Sequence, residues 1–172
     1  WYYKPGTPKV YINQSWDENN SILNVSFEQK LDSDKTDINV EMVIPILYSC
    51  YSREKKIKPI VEDKLFVLDK NKNKLKINVL SDEKKAPVLS IFRGFSSPVK
   101  WQSNLSIDDY IFLFLNDNDY FTRWDSGQFL MREIIRKRIY KQHTSSLEDG
   151  FINAIKHSIK YLKIKDPFFL AT

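Results

Sequence analysis

The sequence predicts two parts: an antiparallel β-sandwich of immunoglobulin-like architecture over residues 1–101, and an all-α, solenoid-like segment over residues 102–172. In the first part, apolar and polar residues alternate with the period of a β-strand, and polar turns rather than helices separate the alternating segments. In the second part, apolar residues recur at the spacing of an amphipathic helix. This change of period, after residue 105, separates a sheet-forming region from a helix-forming one.

Six short segments of the first part carry the strand pattern: PKVYIN, LNVSFE, VIPILYS, KLFVLD, KLKINV and PVLSIFR. The turns between them, such as SWDENNS, KLDSDKTD and DKNKNK, are rich in Asp, Asn, Ser and Lys. Alternation in LNVSFE and KLKINV predicts a sandwich core at Leu23, Val25, Phe27, Leu75, Ile77 and Val79. Cys50 is the only cysteine, so the disulfide of antibody domains is absent and the likeness to immunoglobulins concerns architecture alone.

The second part contains the patterns of three helices. The first begins at Ser106, since Ser106 and Asp109 have the spacing of a capping box, and it ends at the run NDND of residues 116–119. The second extends to about Lys141, and its predicted apolar stripe consists of Phe121, Trp124, Met131, Ile134, Ile135 and Ile139.

Ser145 or Ser146 caps the third helix, and Asp166-Pro167 ends it because the residue before a proline avoids the helical conformation. Its predicted apolar face consists of Leu147, Phe151, Ile155, Ile159 and Leu162. Three helices cannot cover all of their apolar faces without a further layer. We therefore expect an exposed apolar patch on the second and third helices, through which the chain can self-associate.

Two glycines suggest close or unusual backbone geometry. Gly127 lies inside the second helix, on its predicted stripe, where glycine costs about 1 kcal/mol relative to alanine. We expect a segment of the sandwich, or helices beyond Thr172, to approach the backbone there. Gly94 and Pro98 lie in IFRGFSSPVK, where pairing of the last strand should lapse. The change of period allows a joint between the two domains here, with Arg93 and Lys100 reaching across their interface, but the stretch alone favours a plain strand end with a turn. The family resemblance described below implies the joint.

The chain has a formal net charge of +5, and its positive excess is concentrated in residues 53–85, which hold eleven Lys or Arg against six Asp or Glu. Many of these lysines alternate with apolar residues, as on the solvent-exposed side of a strand, where lysine keeps a sheet edge soluble. This interpretation is favoured over a phosphate-binding patch, so we do not expect nucleic acid as a partner. The apolar runs are shorter than the ~18 residues of a membrane span.

The residues that could carry chemistry are few. His143 and His157 are isolated in sequence and belong to no HExxH motif. The acidic pairs Asp108-Asp109 and Glu148-Asp149 begin predicted helices, where negative charge complements the helix dipole. We therefore predict no catalytic, cofactor-binding or metal-binding residue in this chain. A single cysteine suits the reducing cytoplasm, and because residue 1 is Trp and no leader pattern is present, we expect a piece of a longer protein.

Four stretches, in order along the chain, resemble the aminopeptidase N (alanyl aminopeptidase) family of zinc metallopeptidases. WYYKPGTPKV resembles the segment that enters the family's β-sandwich, and FRGFSSPVK the segment that leaves it. NDYFTRWDSGQ resembles a motif early in the family's C-terminal helical domain, and DPFFLAT a connection a few helices later. The resemblance spans the chain, although the variable region of residues 17–85 is supported by its strand pattern alone.

The resemblance implies a non-catalytic fragment of an enzyme that removes N-terminal amino acids from peptides. The zinc motif and substrate-amine motif of such enzymes lie upstream and are absent from this sequence, so zinc belongs to the parent enzyme and no catalytic residue is carried over. The sandwich would then serve as a spacer, and the helices would begin the domain that closes over the catalytic cavity. The partners would be the missing catalytic domain and the remaining C-terminal helices. Two alternatives stay open: a stand-alone sandwich that binds peptide or carbohydrate, and a basic nucleic-acid binder.

Overall fold

A computed structural model describes residues 6–31, 41–53, 58–79 and 85–162, with the side chains of residues 161 and 162 excepted. The chain forms two compact units, Trp1–Leu105 and Ser106–Thr172. The division lies a few residues beyond the predicted one, because the strand that includes Trp101 belongs to the sheets of the first unit. Each unit is described by itself below.

The first unit is a sandwich of two sheets. Its strands are β1 (Pro8–Asp17), β2 (Ile22–Leu31), β3 (Ile44–Tyr51), β4 (Pro59–Leu68), β5 (Lys72–Asn78), β6 (Val88–Ile91) and β7 (Lys100–Ser103). One sheet has the order β5–β2–β1–β7 and the other the order β4–β3–β6. Each of the six predicted segments contributes to a strand, which confirms the sandwich. The expectation of a wholly antiparallel sandwich is wrong at one place, since β7 runs parallel to β1.

The core lies between the sheets and follows the period-two alternation. Leu23, Val25, Phe27, Ile77 and Val79 are buried as predicted, while Leu75 is partly buried against the core. Strand β1 adds Val10 and Ile12 to the core, and β3 adds Ile44, Ile46 and Cys50. Strand β1 also continues through Gln14–Asp17, so the predicted turn SWDENNS is shorter than expected and begins after Asp17.

The stretch IFRGFSSPVK lies wholly inside the first unit, so its interpretation as a joint between domains is wrong. It links β6 in one sheet to β7 in the other through a short 3-10 turn, Arg93–Phe95. The backbone is left-handed at Phe92, Gly94 and Phe95, and glycine accepts this conformation without strain. The connection therefore turns the chain from one sheet to the other, and this crossover is why β7 can pair in parallel with β1.

The second unit begins with α1 (Ile107–Asn116), α2 (Tyr120–Ile139) and α3 (Ser145–Leu162). The predicted capping box is present: the Ser106 hydroxyl accepts from the Asp109 N–H, and the Asp109 carboxylate accepts from the Ser106 N–H. The residues NDND separate α1 from α2 as expected. Helix α3 starts at Ser145, so the residue at its cap position is Thr144. Neither Ser145 nor Ser146, the two proposed caps, occupies that position. The predicted end at Asp166-Pro167 lies outside the described residues.

The predicted apolar stripe of α2 is not its buried face. Trp124, Met131, Ile135 and Ile139 are exposed, and we call these four residues the α2 stripe. The buried side of the helix instead consists of Thr122, Arg123, Ser126, Gly127 and Leu130. Small and polar residues therefore mediate the packing of α2, while its large apolar side chains face outward.

The predicted face of α3 is correct only in its first two turns. Leu147 and Phe151 are buried, but burial continues at Ala154 and Ser158, whereas Ile155 is partly buried and Ile159 is exposed. The side chain of Leu162 lies outside the described residues. The expected patch on the second and third helices is therefore present in part, because exposed apolar residues occur on α2 and at Ile152 and Ile159 of α3.

Candidate functional site

The histidines lie apart, in the places that the sequence indicates. His143 is exposed in the α2–α3 connection, with its Nε2 3.2 Å from the Ser145 hydroxyl. His157 is exposed on α3. Within the described ranges, no group of three His, Cys, Asp or Glu side chains is arranged to hold a metal ion. The absence of catalytic, cofactor and metal residues remains a prediction.

The acidic pairs act in helix structure. Asp109 completes the capping box of α1, and Glu148 lies in the first turn of α3. The Glu148 carboxylate receives two short hydrogen bonds from Arg138, of 2.7 Å from Nε and 2.6 Å from the terminal nitrogen. Bonds from Arg138 and Thr144 lower the pKa of Glu148 to about 2. The Glu148 side chain is thus ionised at neutral pH, and it links the start of α3 to the end of α2.

Cys50 is buried in the sandwich core. Burial raises the pKa of its thiol to about 12, with Lys64 opposing the shift. The thiol is therefore protonated at neutral pH, and a protonated, buried thiol is neither a nucleophile nor a metal ligand. Its role is that of a small apolar core residue.

The motif NDYFTRWDSGQ builds the junction of α1 and α2. Asp119 caps α2 by accepting from the Thr122 N–H and hydroxyl, both at 2.8 Å. Arg123 is buried, and its Nε donates to the Phe114 carbonyl in the last turn of α1 at 3.0 Å. A carbonyl at a helix end has no partner within the helix. The motif thereby supplies a buried donor to the end of the preceding helix.

Gly127 in the same motif allows the close approach of α1. A Cβ atom at this position would lie 3.1 Å from Phe114 Cε2 and 3.2 Å from Cδ2. The segment that approaches Gly127 is therefore α1 of the same unit, rather than the sandwich or a helix beyond Thr172. The expectation of a close approach is confirmed, but the predicted source is wrong.

A polar cluster that joins the buried Arg93 to the exposed Asp63 of β4 was not predicted from the sequence. Arg93 is buried, and its Nη1 donates to the Ser90 hydroxyl at 2.9 Å. Its Nε lies 2.8 Å from Asp63 Oδ1, an ion pair without the alignment of a hydrogen bond. The same Asp63 oxygen accepts from the Ser49 hydroxyl at 2.6 Å. Arg93 thus ties the turn after β6 to β4 within the sandwich, rather than reaching across a domain interface.

Two serines fasten the rest of this connection. The Ser97 hydroxyl donates to the Pro45 carbonyl at 2.5 Å, and the Ser96 hydroxyl accepts from the Leu47 N–H at 3.1 Å. Both bonds reach strand β3. The only sequence signal for this arrangement was the concentration of Gly, Ser and Pro after a strand, which indicates a turn but not its partners.

The fold defines a class of two-domain protein. In this class, a sandwich of immunoglobulin-like architecture is followed by a domain of packed helices. Family comparison agrees with this class in both parts. Residues 6–104 match the family described as "Domain of unknown function (DUF3458) Ig-like fold". Residues 107–172 match its C-terminal companion, described as "Domain of unknown function (DUF3458_C) ARM repeats". The chain belongs to the DUF3458 family.

Two relatives support the resemblance to aminopeptidase N. Aminopeptidase N of Caulobacter vibrioides is 36% identical over 73 residues, which cover 42% of this chain and 8% of that protein. The crystal structure of Legionella pneumophila aminopeptidase A in complex with aspartic acid matches with a TM-score of 0.82 at 18% identity, over 98% of this chain and 18% of that one. At this identity the structural match shows the fold alone. The chain spans only a small fraction of either relative.

No helix in the described part of the chain has both the length and the apolar character needed to cross a membrane.

Proposed function

We propose that this chain is a non-catalytic part of a zinc-dependent aminopeptidase that removes N-terminal amino acids from peptides. The observation that carries the proposal is the 36% identity to aminopeptidase N of Caulobacter vibrioides. The family match in both units supports it. The described residues do not offer a ligand set for zinc, so the proposal places the metal, and the catalytic domain that binds it, in a part of the parent protein outside them.

Within the parent enzyme, the sandwich acts as a spacer and the helices begin the domain that closes over the catalytic cavity. The spacer role is supported by the contacts of Arg93, Ser96 and Ser97, which link the crossover between the two sheets to β3 and β4. The partners in this proposal are the catalytic domain and the remaining C-terminal helices, and the substrates of the parent are peptides. A cytoplasmic location belongs to the same proposal and is supported by the single, buried cysteine.

The test compares this chain with the full polypeptide encoded by its reading frame. We expect the purified 172-residue chain to hydrolyse no aminoacyl-anilide and to retain no zinc after dialysis. The full polypeptide should hydrolyse the anilide, lose activity with a chelator and recover it with zinc. The proposal is overturned by turnover from the 172-residue chain alone, or by a full polypeptide that binds no zinc and cleaves no N-terminal residue.

A further inference from the structure

The outer face of the β5–β2–β1–β7 sheet is strongly positive. On these strands, the residues opposite the core positions include six lysines: Lys9, Lys30, Lys72, Lys74, Lys76 and Lys100. We call them the lysine face. The carboxylates at outward positions of the same strands are Glu28 and Asp17, and Asp17 bonds to Asn20 in the turn after β1. One face of one sheet thus carries most of the formal net charge of +5 of the chain.

The strand register places like charges side by side. Lys9 is directly opposite Lys30 on β2 and directly opposite Lys100 on β7. Like charges at directly opposed positions destabilise a sheet. Placing three lysines abreast does not by itself stabilise the sandwich, and a few separate lysines would suffice to keep an edge soluble.

The available counter-charge on this face is small. Glu28 is shared between two lysines, at 3.8 Å from Lys30 Nζ and 3.5 Å from Lys72 Nζ. Among the described residues, no carboxylate forms an ion pair with Lys74, Lys76 or Lys100. These ammonium groups can therefore donate to the carboxylates of a partner without first breaking a pair with another described residue.

The middle of this sheet face is concave, and Lys72 and Lys74 are the members of the lysine face that line the concavity. A trough with a volume of about 870 Å³ crosses the sheet from β5 to β7. Besides lysines, its lining includes side chains that donate and accept hydrogen bonds, among them Asn13, Ser26 and Gln102, together with the ring of Tyr11. A polypeptide has backbone N–H and C=O groups that need such partners when they are removed from water.

We propose that the lysine face binds an acidic segment of a partner protein in an extended conformation. Lys72, Lys74 and Lys76 project from one side of β5 at intervals of about 6.8 Å. Alternate side chains of an extended peptide repeat at the same interval of about 6.8 Å, so alternating Asp or Glu residues meet successive lysines. At the β5 end of the trough, which Lys72 and Lys74 line, the Ser26 hydroxyl next to Lys74 can bond to the peptide backbone. This inference does not depend on the proposed aminopeptidase function.

Other polyanions fit the face less well. Binding of single-stranded nucleic acid combines a positively charged groove with aromatic side chains on which successive bases stack. On the described part of this face the exposed aromatic ring is Tyr11, and the Lys30 ammonium already lies over it, 5.5 Å from its centroid. A lipid bilayer presents a flat layer of anionic headgroups, which cannot enter the trough that Lys72 and Lys74 line.

The test is a binding titration of the purified chain with a fluorescent peptide of alternating Glu and Ser residues, followed by anisotropy. We expect saturable binding that weakens as salt screens the charges. Lys72→Gln/Lys74→Gln should reduce affinity by roughly twofold to thirtyfold, as expected for two lost ion pairs at exposed positions. Lys156→Gln/Lys160→Gln on exposed positions of α3 removes the same charge and should leave the affinity unchanged.

Three comparison probes decide the class of partner: the same peptide with Gln in place of Glu, an oligothymidylate of equal charge, and vesicles containing phosphatidylserine. The proposal predicts that the acidic peptide binds most tightly. Equal losses in the two double variants would show that net charge alone drives binding and would overturn it. Tighter binding of the oligonucleotide or of the vesicles, or no binding of the acidic peptide, would overturn it as well.

Discussion

At the scale of single residues, Glu148 stabilises the fold in two ways, through the dipole of its own helix and through its contact with Arg138. An acidic residue in the first turn of a helix is favoured by the helix dipole alone. Here the carboxylate also bonds to Arg138, which lies near the end of the preceding helix. The first effect follows from sequence spacing, but the second requires that α2 and α3 turn back on one another. The sequence therefore predicted the position of Glu148 and not its partner.

The pKa of Glu148 provides a test of this contact. Because the pKa is lowered from 4.5 to about 2 in the folded chain, the pair stabilises the fold above the ordinary pKa. That contribution is lost as the pH falls through the range from 4.5 to about 2. We expect Arg138→Gln to move the Glu148 midpoint back toward its usual value in a carbon-detected NMR titration of the side-chain carboxyl. Arg136→Gln is the matched control, since Arg136 pairs with Glu133 at 2.7 Å. It should move only the midpoint of Glu133, and a Glu148 midpoint unaffected by Arg138→Gln would contradict the contact.

At the scale of elements, strands were predicted more accurately than the faces of helices. A strand of this sandwich buries alternate residues, and the apolar residues Leu23, Val25 and Phe27 mark that face directly. Helix α2 buries Ser126 and Gly127, whose small size matters more than their polarity. Hydrophobic periodicity cannot identify a face that packs through small residues, so the pattern pointed to the exposed α2 stripe instead. Only contacts with α1 reveal the buried side.

Alanine substitutions at two helical glycines, Gly127 and Gly150, distinguish the effect of close packing on stability from the effect of helix propensity. Gly127→Ala should lower the free energy of unfolding by about 1 kcal/mol, because overpacking outweighs the gain in helix propensity. The ring of Phe114 cannot easily retreat, since Phe151 packs edge-on against it with centroids 5.6 Å apart. Gly150→Ala should instead raise stability by up to ~1 kcal/mol. The atom nearest to a Cβ there is Ile111 Cδ1 at 3.3 Å, the end of a flexible side chain. Urea unfolding of both variants measures the difference, and stabilisation by both would show that Phe114 does not restrict Gly127.

At the scale of the whole molecule, charge and apolar surface are distributed in ways that local sequence does not reveal. The lysine face combines Lys9, Lys30 and Lys100, which are far apart in sequence and meet only through the strand register. Counting charges along the sequence assigned the excess of positive charge to residues 53–85. It favoured the interpretation that these lysines lie on the solvent-exposed side of a strand. Folding adds lysines from β1, β2 and β7 to those of β5. The crossover after β6 makes this possible, because it brings β7 beside β1.

The α2 stripe leads to the remaining prediction. Trp124, Met131, Ile135 and Ile139 are between 40% and 71% exposed, and their spacing places them along one side of the helix. Contiguous apolar surface of this kind marks an interaction site more often than a solvent-exposed face. We predict that the 172-residue chain self-associates through this stripe, with a sedimentation coefficient that rises with concentration. Ile135→Glu/Ile139→Glu should abolish the rise. Leu65→Glu/Val67→Glu on β4, where both side chains are also exposed, should leave it intact. A chain that sediments as a monomer at every concentration, or that responds equally to both double variants, would exclude the stripe as the contact surface.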